Sequence, residues 1–285
     1  MMTDETGRDR IRRLQREWAE ARGLAVDAKD NLADYRQNLR TALSKRAVDA
    51  FRISATAELV DSANGGPAKM RALYSSSALA ANLFDYWSSR DAGPLLRALH
   101  IDGTPTSLEF EAPLRTGYAT PPQLDVLIRL SGGGLVGIES KFTDWMTKKS
   151  KQAEKLSPYF QVDGSSSYWS RAGLAASHKL AKSILDTPDR FEVLDVPQLL
   201  KHALGLHKAA GQKPWRLVYV YYAGSGAIAT SHDGELARFT AAVGTEVHFS
   251  SMTYQALVAS LVNAPSDVDA EYVAYLRERY FAGDA

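Results

Sequence analysis

The chain of 285 residues contains no cysteine. That absence excludes disulfides, thiolate zinc sites, iron–sulfur clusters and a cysteine nucleophile. No stretch approaches the roughly 18 consecutive apolar residues of a membrane span. The opening MMTDETGRDRIRRLQREW offers no apolar segment to serve as a secretory signal, so the expected location is the cytoplasm with no membrane partner. An excess of one charge is also missing: 34 Lys and Arg against 33 Asp and Glu leave a net charge of +1. A nucleic-acid surface would therefore have to be a local patch. Neither a Walker A phosphate loop nor a dinucleotide fingerprint occurs, which disfavours ATP-driven and redox enzymes. The six histidines form no His-x-His or H-E-x-x-H pattern, and the spacing of His202 and His207 does not present both to one metal. The AGSGA around Ser225 lacks the spacing of a nucleophile elbow and reads as a turn.

What is present is an ordinary globular balance, 45% hydrophobic and 24% charged, long enough to bury a real core. From Arg8 to about Val60 the spacing is helical: Ile11, Leu14 and Trp18, then Leu32, Tyr35 and Leu39. The five arginines between Arg8 and Arg16 project mostly from the opposite face, which reads as a solvated side rather than a DNA-binding arm. Asn-Gly-Gly-Pro at residues 64–67 breaks the pattern. The expected division is a helical N-terminal extension over 1–62 and one larger domain over 63–285.

Within that domain, YSSSALAANLFDYW predicts a buried helix with serines at its start and Leu79, Leu83, Phe84 and Trp87 as its stripe. SLEFEAPL predicts a strand, with Leu108, Phe110 and Ala112 alternating against Ser107, Glu109 and Glu111. Strands over 124–130 and 135–142 follow. In the polar segment 143–196, helices are placed around 149–156 and 174–185. VPQLLKHALGLHKAAG is a clearer helix, with Pro197 in its first turn and Gly211 past its end. WRLVYVYY has the weak alternation of a strand buried on both faces. TEVHFSS gives another strand, and YQALVASLV and 267–281 give helices. The order implies an α/β fold, a mixed sheet flanked by helices.

The stretch QLDVLIRLSGGGLVGIESKF, residues 123–142, carries the chemistry. Two strands joined through Ser131 and three glycines have one register that makes a continuous apolar face, with Val126 opposite Ile138 and Ile128 opposite Val136. In that register Asp125 lies opposite Glu139, and alternation brings Asp125, Glu139 and Lys141 together on the other face, away from the turn. Two neighbouring carboxylates raise each other's pKa unless a positive charge lies between them. A divalent cation satisfies them, and Asp, Glu, a backbone carbonyl and water are the oxygen donors that Mg²⁺ or Mn²⁺ takes. Lys141 on the same face can address an attacking water or the oxygens of a phosphate. An edge hairpin made soluble by charges is the alternative reading of the same string.

Asp125, a gap, and Glu139-Ser140-Lys141 resemble the PD-(D/E)xK nuclease superfamily, whose core runs helix, three strands, helix, strand. The resemblance implies a restriction-endonuclease-like fold in which Asp125 and Glu139 bind Mg²⁺ (or Mn²⁺), Ser140 lends its carbonyl, and Lys141 assists the nucleophilic water. More narrowly, the serine-rich NLF helix, the E-x-K strand and the PQLLKHALGL helix before LVYVYY look like a group of bacterial restriction-endonuclease-like proteins, over about residues 70–260. Leu124 stands where many members have Pro. For the acid that many carry on the first helix, Glu58 is the best helical candidate, with Asp85 and Glu111 as alternatives. Gln198 resembles the Gln or Lys found on the helix after the third strand. The implied function is a metal-dependent DNA endonuclease, in restriction or repair. A catalytically degenerate DNA-binding or assembly module, and an RNase or toxin nuclease, stand beside it. A homodimer would suit double-strand cleavage.

Directly after the motif, Lys148, Lys149, Lys151 and Lys155 are expected to grip backbone phosphates, against an exposed helical face as the plainer reading. Tyr159, Tyr168 and Trp169 read more readily as anchors to the core than as base-stacking groups.

Overall fold

The computed structural model describes residues 6–53, 57–62, 64–160, 166–263 and 268–282. Four helices come first: α1 (Gly7–Glu20), α2 (Lys45–Ile53), α3 (Ser76–Phe84) and α4 (Gly93–Ala98). Three strands follow, β1 (Pro105–Pro113), β2 (Gln123–Leu130) and β3 (Leu135–Lys141). Then come α5 (Gln152–Leu156), α6 (Tyr168–Arg171), α7 (Ala175–Asp186) and α8 (Val196–Ala210). The chain ends with β4 (Trp215–Tyr221), α9 (Ala227–Val243), β5 (Phe249–Thr253), α10 (Tyr254–Val262) and α11 (Ala270–Tyr280).

The strands form one sheet in the order β1-β2-β3-β4-β5, antiparallel through β3 and parallel from β3 to β5. This is a mixed sheet between helical layers, a restriction-endonuclease-like arrangement. The β2–β3 register is the one the apolar pattern selects, Val126 with Ile138 and Ile128 with Val136. Gly132 and Gly133 have φ of 83° and 86°, the left-handed conformation that a side chain resists.

One face of the sheet buries Val126, Ile128, Val136 and Ile138 with α3, α4 and α10; the other buries Leu127, Leu135, Leu217 and Tyr219 with α7, α8 and α9. β1 and β2 do not keep one face along their length. Leu108 and Phe110 enter the first core, whereas Ala112 enters the second, and Leu124 likewise departs from Val126. The change of face falls at Glu111, whose φ of 47° is left-handed inside a strand, and at Asp125, which the register sets opposite it. Simple alternation of Leu108, Phe110 and Ala112 therefore fails at the point where the charged residues begin.

Other expectations need correction. Leu32, Tyr35 and Leu39 do not share a helix: Asp30 is left-handed, Leu32 donates its N–H to the carbonyl of Arg71, and only Tyr35–Asn38 turns, as a 3-10 helix. Asp27 accepts from the N–H groups of Lys29 and Asn31, a local turn that competes with helix formation. α2 ends at Ile53, so Glu58 lies in a bend rather than on a helix. β5 begins at Phe249, four residues later than TEVHFSS implied. α9, with 17 residues, was not foreseen; two adjacent parallel strands require such a crossover.

The arginines of α1 hold structure. Arg12 and Arg16 pair with buried Asp30, and Arg13 with Glu17. α1 also docks on α11: the Gln15 side chain donates to the Arg279 carbonyl at 2.7 Å, and the Arg279 guanidinium stands 3.7 Å over the Trp18 ring. Among the described residues, no helix is long and apolar enough to cross a membrane.

α8 approaches the sheet through small residues. A Cβ at Gly205 would overlap the Cβ of Leu114, and one at Gly137 would meet Leu124 and Leu206 at 2.7 Å. Gly205→Ala is expected to push α8 off the sheet and cost about 1–3 kcal/mol, read as a lower urea midpoint. An unchanged midpoint would refute this account of the packing.

Candidate active site

β2 and β3 part at their charged ends. Their ladder stops at Val126–Ile138, and the next β3 donor, the Ser140 N–H, is taken at 2.7 Å by the Asp125 carboxylate instead of by backbone. Asp125 is thereby fixed against β3. On the far side of β3 the Ser140 hydroxyl meets the Tyr254 hydroxyl at 2.5 Å, which anchors the strand to α10. The first turn of α3 secures its end: the Phe142 N–H donates to Ser76 Oγ at 3.0 Å, and Ser76 donates to Asp144.

Glu139 is fully buried. Its Oε1 lies 2.5 Å from Lys141 Nζ and its Oε2 lies 3.0 Å from His202 Nε2 of α8. These are ion-pair distances, yet neither oxygen has hydrogen-bond alignment with a partner. Burial alone would raise the Glu139 pKa, but Lys141 and His202 outweigh it and hold the group at about 2. Its contribution to stability is thus present above the ordinary 4.5 and fades as pH falls through about 2. Burial pulls Lys141 down, but Glu139, Asp125 and Asp144 together lift it well above its usual value, so it stays an ammonium at neutral pH. Asp125 is pushed the opposite way from Glu139. Burial first, then the Glu139 charge, raises it well above the carboxylate range.

These groups border a cleft of about 720 Å³ between the sheet, the start of α3, the bend at Glu58 and the first turns of α8. Asp125, Ser140, Lys141, Gln198, Glu58 and Lys155 line it, and Glu139 sits beneath its floor. Glu111 also lines it, at the left-handed position across from Asp125, whereas Asp85 binds Ser44 and lies away from it. Glu58 carries an ion pair to Lys69 at 3.5 Å. Of the four lysines after the motif, Lys155 borders the cleft and pairs with Asp195 at 2.6 Å. Lys148 pairs with Glu192, Lys149 donates to the Asp144 carbonyl, and Lys151 pairs with Glu154 at 3.7 Å. Tyr159 and Trp169 are core anchors, stacked on each other with centroids 5.2 Å apart.

Lys201 and His202 are among the cleft residues that the sequence did not single out as a site. The available signal was their place on α8: three and four residues after Gln198, on the same helical face.

Among the described residues, no three acidic or imidazole groups are gathered as a ready-made metal centre. The donors that do meet still suit a hard divalent cation. The Glu139 oxygens are buried without aligned hydrogen-bond partners, and Asp125 has a pKa raised by burial and by the Glu139 charge, which a cation would relieve.

No curated protein and no solved structure matches this chain. A family profile described as restriction endonuclease associating with ARP does match, over residues 13–281. With the match spanning almost every element that builds the sheet and the cleft, the chain belongs to that family, and its nuclease-like character follows from the membership.

Proposed function

We propose that this chain is a metal-dependent DNA endonuclease of the PD-(D/E)xK type. The observation that carries the reading is the meeting of Asp125, Lys141 and the Glu139–His202 pair at one cleft. Asp125, Glu139 and the Ser140 carbonyl would hold Mg²⁺ or Mn²⁺. A cation there supplies a water of lowered pKa and neutralises phosphate charge. Lys141, permanently charged, stabilises the extra negative charge that builds on the phosphate oxygens as water adds to phosphorus. One ester P–O bond then breaks, and a proton passes to the departing oxygen. His202 holds the Glu139 carboxylate from the side opposite Lys141, and α3 fixes the end of β3 that carries the lysine.

Cleavage of supercoiled plasmid by wild type and Asp125→Asn, with Mg²⁺, with Mn²⁺ and with chelator, tests this. Wild type should nick or linearise only with metal, and the variant should do neither. The variant should also be more stable than wild type in the absence of metal. A carboxylate whose folded pKa is raised contributes stability at low pH that is lost as pH rises from its ordinary value through the raised one, a penalty that Asp125→Asn removes. By the same sign, Mn²⁺ uptake by wild type should release protons and tighten as pH rises. Metal-independent cleavage, or an Asp125→Asn chain as active as wild type, would refute the proposal.

A second reading has one observation in its favour: Lys141 and His202 already satisfy the charge of Glu139, as in a silent module that only binds DNA. Calorimetry with Mn²⁺ separates the two, since only the nuclease reading requires uptake that Asp125→Asn abolishes.

A further inference from the structure

We propose that Lys201, assisted by Gln198, forms a phosphate subsite beside the reacting centre, receiving a backbone phosphate of the DNA next to the one cleaved. The inference rests on the nuclease reading above. Four lysines line the cleft, and three of them have an acid in place: Lys69 has Glu58 at 3.5 Å, Lys141 has Glu139 at 2.5 Å, and Lys155 has Asp195 at 2.6 Å. Lys201 has none within ion-pair distance among the described residues. Its Nζ is held instead 5.1 Å over the ring of Tyr159, itself buried and stacked on Trp169.

An ammonium in a half-buried position without an anion is costly, and burial pulls the Lys201 pKa down, opposed by Asp195. A cation–π contact directs such a group but does not neutralise it. Asp195 acts on it only from beyond ion-pair distance, which leaves room for an anionic ligand to supply the counter-charge. The position indicates which one: Lys201 lies one turn along α8 from Gln198, and both border the cavity that holds Asp125 and Lys141. A polyanion seated with one phosphate at Lys141 presents its next charges along this wall. The lysines at 148, 149 and 151, which are engaged elsewhere, do not border that path.

The test uses the full chain as wild type, Lys201→Met, Lys201→Arg and the exposed control Lys182→Met on α7. Binding of a fluorescein-labelled DNA duplex is followed by anisotropy across a KCl series with Ca²⁺, and Mn²⁺ uptake by calorimetry on the same samples. Lys201→Met is expected to weaken binding about tenfold and to reduce the slope of log affinity against log salt by about one. Lys201→Arg should restore most of the affinity, Lys182→Met should match wild type, Mn²⁺ uptake should not move, and the unfolding midpoint of Lys201→Met should not fall. Equal affinity and salt slope in Lys201→Met would overturn the subsite, as would loss of Mn²⁺ uptake, which would make Lys201 a structural support. A wild type that takes up no Mn²⁺ and binds no duplex would overturn the nuclease reading itself.

Discussion

Glu139→Ala should lose about 3–5 kcal/mol of stability and, in the same step, all cation uptake and cleavage. Glu139 is wholly buried between Lys141 and His202, and removing it leaves an ammonium and an imidazole without the carboxylate between them, with Asp125 and Asp144 acting on Lys141 only from further off. The cost is that of stranding a charge rather than of losing one contact, because a buried pair is worth little over an apolar substitute whereas half a pair is expensive. Glu139→Gln keeps the volume and a hydrogen-bond acceptor but not the charge, so it should recover part of the stability and none of the activity. Urea titration of the three proteins beside Mn²⁺ calorimetry measures both effects. A Glu139→Ala midpoint equal to wild type would mean that the pair is not formed in solution.

Lys141→Met separates the two roles. Methionine fills most of the lysine stem, so the expected loss is electrostatic, about 10²- to 10³-fold in cleavage rate, the cost of removing one charge-stabilising donor from a reacting centre. Metal uptake should survive and tighten, because Glu139 no longer has the ammonium as a competing partner. The metal-free variant should unfold earlier than wild type and regain stability as Mn²⁺ is added. Cleavage at the wild-type rate would remove Lys141 from the mechanism.

The charged hairpin was legible because hydrophobic patterning sets register strictly. With Val126, Ile128, Val136 and Ile138 on one face, a slip of one residue would expose all four, so the register up to Val126–Ile138 followed, whereas Asp125 lies just past the ladder, where the strands part. α9 was not legible for the opposite reason. AIATSHDGELARFTAAV is rich in small and polar residues and interrupted by Gly234, and its buried side is discontinuous. Only the parallel pairing of β4 with β5 demands it. Glu58 reaches the cleft through a bend, and a bend leaves no periodicity to read. His202 was weighed against His207, its neighbour in sequence, when its partner is Glu139, 63 positions away and joined to it only by the packing of α8 on the sheet.

The docking of α1 on α11 bears on how the protein is made. Gln15 and the carbonyl it donates to lie 264 positions apart, and Trp18 leans on Tyr275 and Arg279. A nascent chain emerging from the ribosome has α1 in hand long before its resting place exists. Contacts at such separation close late, after the local hairpins and helices have formed. The wall of the cleft that carries Glu58 and Lys69 lies between α1 and α3 in sequence, so it is flanked by a helix that stays undocked until α11 has been made. The charged hairpin can form as soon as β3 is made, but α1 waits for α11, more than a hundred residues further on, before it can dock.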